Sequence, residues 1–315
     1  MTDLGKKILS GALVCLMMGA LVVYGYRNKE LFAGLLEVQA GFILVLAGMW
    51  VALLRLAGER TQLFVGLFDV DLPAKEALRL EIATSMSGYL IPFKGSQVTK
   101  AVYLKKRHGF PYAGFVTVLL ASYPLKCLAV GVTGIALSIL LYFERGTVEL
   151  RVIGFFLVLM ALTAIVLKVP LSLPATQNKL LEGLRSALEG WQLLREDPSL
   201  ILRIMLLFAA SCVVVGGQLF VAYNALSIGA ELLPALLIGT LYTFTYFTSA
   251  TPGSSGFAEA VAGAASHLLQ IGFAEGVVTA VLVRGVNTGM ALLIGPIIGY
   301  LMTRRHGEPV PEVGS

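Results

Sequence analysis

The feature that most constrains this chain is the length and number of its apolar runs. Stretches 8–26, 38–57, 152–168, 200–226 and 275–302, with one more inside 111–143, approach or exceed the roughly 20 residues that carry a helix across a hydrocarbon core of about 30 Å. A mean hydropathy of +0.82, with 57% apolar and only 14% charged residues, lies far outside the soluble range. Lipid is therefore the main solvent, and any chemistry has to come from the helices themselves. The first run follows Lys6 and Lys7 but has no clear small-residue cleavage site before Arg27, so it reads as a span and not as a signal peptide.

Two further apolar segments do not behave as simple spans. Leu78 to Leu104 is interrupted at Pro92 and Gly95, and Leu232 to Ile271 at Pro252, Gly253 and Gly256. Proline with glycine stops a helix, and backbone freed at membrane depth is tolerated only where protein or a water-filled cavity surrounds it. Each segment therefore reads as a re-entrant hairpin that leaves on the side it entered. With the N-terminus inside, this arrangement puts 18 of the 24 Lys and Arg residues on the cytoplasmic side. Arg27, Lys29, Arg145 and Arg151 fall outside, and Lys126 and Arg284 fall within spans.

The expected fold class is an all-α polytopic membrane protein, about six full spans plus two re-entrant helical hairpins, arranged as an inverted-topology repeat. The first repeat covers 1–143 and the second 144–305, with a short tail at 306–315 and both termini cytoplasmic. Between the repeats, 176–196 carries leucines and Trp191 at helical spacing opposite charged residues, which predicts an amphipathic helix on the membrane surface. The net charge of +5 and pI near 9.1 reflect orientation, and no basic, aromatic-laced module for nucleic acid is present in the sequence. Cys15, Cys127 and Cys212 lie within apolar stretches without metal or redox spacing and read as packing residues. No cofactor, metal site or catalytic series is expected.

The strongest local pattern is T-P-G-S-S-G-F-A-E-A at 251–260. Pro252, Gly253, Ser254, Ser255 and Gly256 form a turn whose small residues allow close approach, and the helix that follows offers free N–H groups to an anion. The same residues also suit a tightly packed turn whose hydroxyls satisfy freed backbone groups, and composition leaves both readings open. Glu259 favours the helix dipole as a cap, yet an ionisable group at this depth is a functional candidate, with Arg284 as its expected partner. Asn287, one turn beyond Arg284, shares its face. Gly285 and Gly289 form a GxxxG that reads as helix packing. The first hairpin supplies Lys94, Gln97 and Lys100 as headgroup-binding candidates, with Glu81 and Lys126 as secondary ones.

These motifs resemble the membrane region of lysylphosphatidylglycerol synthase and its stand-alone, flippase-like relatives, over about 8–303. The later family motif, roughly P-G-G-x-G-x-x-E-A, is matched by Pro252, Gly253, Gly256, Glu259 and Ala260, with Ser254 replacing a glycine. The earlier one, roughly P-x-R-x-G-E-x-x-R-A, is matched by Pro92, Lys94, Lys100 and Ala101, while Ser96 and Gln97 stand where glycine and glutamate are usual. The resemblance implies a prokaryotic inner or plasma membrane protein that handles polar lipids. It implies a flippase for an anionic or polyprenyl-phosphate headgroup, working with membrane lipids and in some cases a separate lipid-modifying enzyme. A membrane-embedded transferase acting on polyprenyl-phosphate sugars, with Glu259 or Glu81 as base, and a lipid-binding scaffold for a separate synthase are the competing readings.

Overall fold

A computed structural model describes residues 33–90, 95–147, 149–168, 194, 197–245 and 256–304. The expected span 8–26, Pro92, Lys94, the 252–255 turn, most of the surface helix at 176–196 and the C-terminal tail lie outside these residues. The described residues are helical throughout apart from their connections. After a single 3-10 turn at Gly34–Leu36, the helices are α1 (Ala40–Gly66), α2 (Ala74–Leu90), α3 (Gly95–His108), α4 (Tyr112–Arg145), α5 (Leu150–Lys168), α6 (Pro198–Ala225), α7 (Leu232–Phe244), α8 (Phe257–Leu268) and α9 (Phe273–Arg304).

Among the described residues, α1, α4, α6 and α9 are long and apolar enough to cross a membrane. At 1.5 Å per residue, α7 and α8 extend only about 20 Å each, too short to cross alone. Both interrupted segments are indeed broken into two helices, α2 with α3 and α7 with α8, and each pair packs against itself. Pro124 and Pro296 lie inside helices that continue past them, α4 and α9. Capping is local and legible. Pro198 opens α6 behind Asp197, whose carboxylate accepts from the N–H groups of Ser199 at 2.9 Å and Leu200 at 3.1 Å. Gly146, at φ +70°, closes α4 in the left-handed region.

Packing is dense inside and apolar outside. α1 lies on α6 and on α2; α9 crosses α2, α8, α6 and α1; α7 lies against α6, α4 and α8; and α5 covers α4. Phe143 and Leu293 are 79% and 69% exposed, as befits side chains that face lipid and not water. Inside, Gln218 donates to the Leu46 carbonyl at 3.3 Å and to Asn287 Oδ1 at 3.2 Å, tying α1, α6 and α9 together at a point that water does not reach. Polar groups buried this deep are costly unless paired, and this set is paired.

Two helices meet backbone to backbone at Gly216 and Gly239, where a Cβ added to Gly239 would lie 2.2 Å from the Gly216 Cα. Backbone cannot rotate away, so Gly239→Ala should cost at least the roughly 1–3 kcal/mol of an overpacked core, read as a lower melting temperature in detergent. Gly285→Ala is the matched control. Among the described residues a Cβ at Gly285 or Gly289 meets nothing within 4 Å, so no described helix packs closely on that GxxxG.

Candidate functional site: a cationic cavity beside the first helix pair

α2 begins directly after Pro73 and α3 ends in Lys105, Lys106, Arg107 and His108, so the open ends of the pair carry its charge. There Glu76 accepts from the Tyr103 hydroxyl at 2.6 Å and shares a hydrogen bond with His108 Nε2 at 2.9 Å, clasping the two helices. Burial alone would raise the Glu76 carboxyl, but the bonds from Tyr103 and His108 and the charges of His108 and Arg107 hold it below its ordinary value. A depressed carboxyl contributes stability above its unfolded pKa, and that contribution is lost as pH falls through the folded value. The stability gap between wild type and Glu76→Gln should therefore be full at neutral pH and shrink below about pH 4.5, the group's ordinary value, as read by melting at several pH values.

Deeper in the pair, Glu81 of α2 accepts from Lys100 of α3 at 2.5 Å and from Thr61 of α1 at 2.7 Å, both on Oε1. Lys100 Nζ also lies 3.4 Å from Thr61 Oγ1. Lys100 and Glu81 are each only 7% exposed, so each neutralises a charge that would otherwise be stranded. The pair lines a cavity of about 430 Å³ shared by Arg60, Gln97 and Lys126, with aromatic walls that include Trp50, Tyr89 and Phe208. Among the described residues the cavity wall has three cations and one carboxylate. Lys126, for which both surface and interior positions were open from the sequence, faces this space.

Arg60 is the residue that sequence reasoning missed. The span was expected to end at 57, which made Arg60 a loop cation counted only for orientation, whereas α1 continues to Gly66. Leu63, Phe64 and Val65 carry the apolar pattern past the two arginines, and that was the available signal. Arg60 is anchored on α6: Nη1 donates to Ser211 Oγ at 2.6 Å and to the Leu207 carbonyl at 3.1 Å, and the guanidinium lies 4.5 Å from the Phe208 ring centre.

A second cluster forms where α8 meets α9. Gly256, at φ +80°, starts α8, a conformation that a side-chain-bearing residue rarely adopts. The Glu259 carboxylate does two things at once: Oε2 accepts the Gly256 N–H at 2.7 Å, and Oε1 accepts Arg284 Nη1 at 2.6 Å. The capping role and the ion pair with Arg284 are thus the same side chain seen from two sides. Asn287 is turned to Gln218. Among the described residues, Glu81, Gln97, Lys100 and Lys126 line the cavity, whereas Gly256, Glu259, Arg284 and Asn287 do not. The candidate residues therefore fall into two clusters. Pro252, Gly253, Ser254 and Ser255, with Lys94, lie outside the described residues.

The sequence pattern of the family described as lysylphosphatidylglycerol synthase TM region matches residues 7–295. The chain belongs to that family. The match takes in the first eight described helices, most of α9 and both clusters, and it makes this a membrane protein related to lipid handling. No curated protein matches the chain closely enough to serve as a named relative.

Proposed function

We propose that this chain is a lipid flippase, which moves the headgroup of an anionic phospholipid or polyprenyl-linked lipid between leaflets while the tails stay in the bilayer. The observation that carries this reading is the cavity at Lys100: a space of about 430 Å³ with a cationic excess, opened inside a bundle whose outer surface is apolar. A cation costs at least about 2.5–3.5 kcal/mol at a bilayer centre, and an anionic headgroup would offset that cost. Such a volume suits a headgroup and excludes a whole lipid.

Six spans and two re-entrant hairpins in an inverted repeat are part of the same reading. Its support is the pairing of helices: α2 lies on α9 as α7 lies on α4, α1 on α2 as α6 on α7, and α1 meets α6 between them. Each helix pair thus rests on the last long helix of the opposite half, an arrangement suited to rocking one half against the other. In this scheme Lys94 and Arg284 also attract the phosphate, the 252–256 segment binds it through backbone N–H groups, and Glu259 holds Arg284 in the empty state. Both termini are cytoplasmic.

The test is inter-leaflet movement of labelled anionic, aminoacylated and polyprenyl-phosphate lipids in proteoliposomes, with wild type and Glu259→Gln. Faster movement of one class, lost in the variant, is the expected result. No movement of any class would return the weight to a membrane-embedded transferase or to a scaffold for a separate synthase.

A further inference from the structure

Arg60 has five N–H donors in a planar fork, and only Nη1 is used. Nε and Nη2 make no hydrogen bond among the described residues, and Arg60 lines the cavity. Its partners, a carbonyl, a hydroxyl and a ring, are all neutral and all belong to α6. The one carboxylate that the described residues place in the cavity wall, Glu81, is already bonded to Lys100 and Thr61. A guanidinium with an open edge, inside a cavity and without a carboxylate of its own, is arranged to receive two oxygens of one anion.

We propose that Arg60 is an anion-binding residue that takes a phosphate group through its Nε and Nη2 edge, with Lys100 as the neighbouring cation. The inference deepens the flippase reading, because it names the residue that would hold the headgroup phosphate, but it does not depend on movement between leaflets. It also ties binding to the fold. The same guanidinium fastens α1 to α6 through Nη1, which holds the Nε and Nη2 edge in place for a phosphate. Ser211, which donates to the Leu207 carbonyl and accepts from Arg60, positions the side chain.

The experiment is calorimetric binding to purified protein of three probes: phosphatidylglycerol in nanodiscs of zwitterionic lipid, glycerophosphoglycerol, and inorganic phosphate. Arg60→Gln should weaken binding about tenfold or more, equivalent to about 1.4 kcal/mol, and Arg60→Lys should weaken it less, because charge survives while the fork is lost. Ser211→Ala, which removes one of the two bonds that position the guanidinium and leaves the Leu207 carbonyl bond and the Phe208 ring contact, should weaken binding less than Arg60→Gln. A lipid that binds while the soluble probes do not makes a headgroup the ligand; soluble phosphate that binds while the lipid does not makes it a free anion. Folded Arg60→Gln with wild-type affinity would overturn the proposal, as would wild type that binds none of the probes. If Arg60→Gln does not fold, Arg60→Lys with unchanged affinity overturns it instead. Binding that follows this pattern in a protein that moves no lipid would leave Arg60 in place and remove only the flippase reading.

Discussion

Arg284→Ala lowers the stability of the protein by about 3–5 kcal/mol, because it leaves the Glu259 carboxylate buried without its cation. The Glu259 side chain is 4% exposed and that of Arg284 15%, so water cannot take over the lost contact. Glu259→Gln should cost less, since an amide oxygen still accepts the Gly256 N–H and only the charge pairing is lost. The double variant Glu259→Gln with Arg284→Met should recover most of the loss, as it removes both charges together. Thermal melting in one detergent checks all three. An Arg284→Ala protein that melts with wild type would mean that the pair contributes nothing to the fold and acts only in transport.

Lys100→Met has an effect of the same size on the fold and a larger one on function. It strands Glu81, 7% exposed, which retains only the Thr61 hydroxyl, and the expected destabilisation is again about 3–5 kcal/mol. Adding Glu81→Gln should restore melting to near the wild-type value. It should not restore lipid movement, because the headgroup's cation is still missing. This separation between a rescued fold and an unrescued activity is the outcome that a structural salt bridge alone would not give. Rescue of both by the double variant would make the pair a structural feature and remove Lys100 from the path.

Much of this architecture is readable in the residues because lipid imposes a coarse rule: an apolar run of the right length is a helix. The ends and breaks of α4, α6 and α9 fall within a few residues of where charge and hydropathy place them. Pro92 with Gly95, and Pro252 with Gly253 and Gly256, mark the two interruptions because no continuous helix tolerates such clusters. The pairing of Glu259 with Arg284 follows from the cost of an isolated charge at depth. What was not legible is three-dimensional. Arg60 looked like a loop cation because two arginines in six residues ended the hydropathy window before the helix ended. The close backbone contact of Gly216 with Gly239 joins residues 23 apart with no motif in common. Nothing in a linear pattern shows that Lys100 and Glu81 meet over Thr61 while Arg284 and Asn287 belong to another neighbourhood.

The central claim is that a lipid headgroup enters the cavity between α1, α2, α3 and α4. The most direct measurement is photo-crosslinking in proteoliposomes with phosphatidylglycerol carrying a photoreactive headgroup, followed by peptide mapping. The account predicts adducts on cavity residues such as Trp50, Tyr89 and Gln97, reduced in the refolded Lys100→Met, Glu81→Gln protein. Adducts confined to lipid-facing side chains such as Leu293 and Ile297, equal in the two proteins, would contradict it.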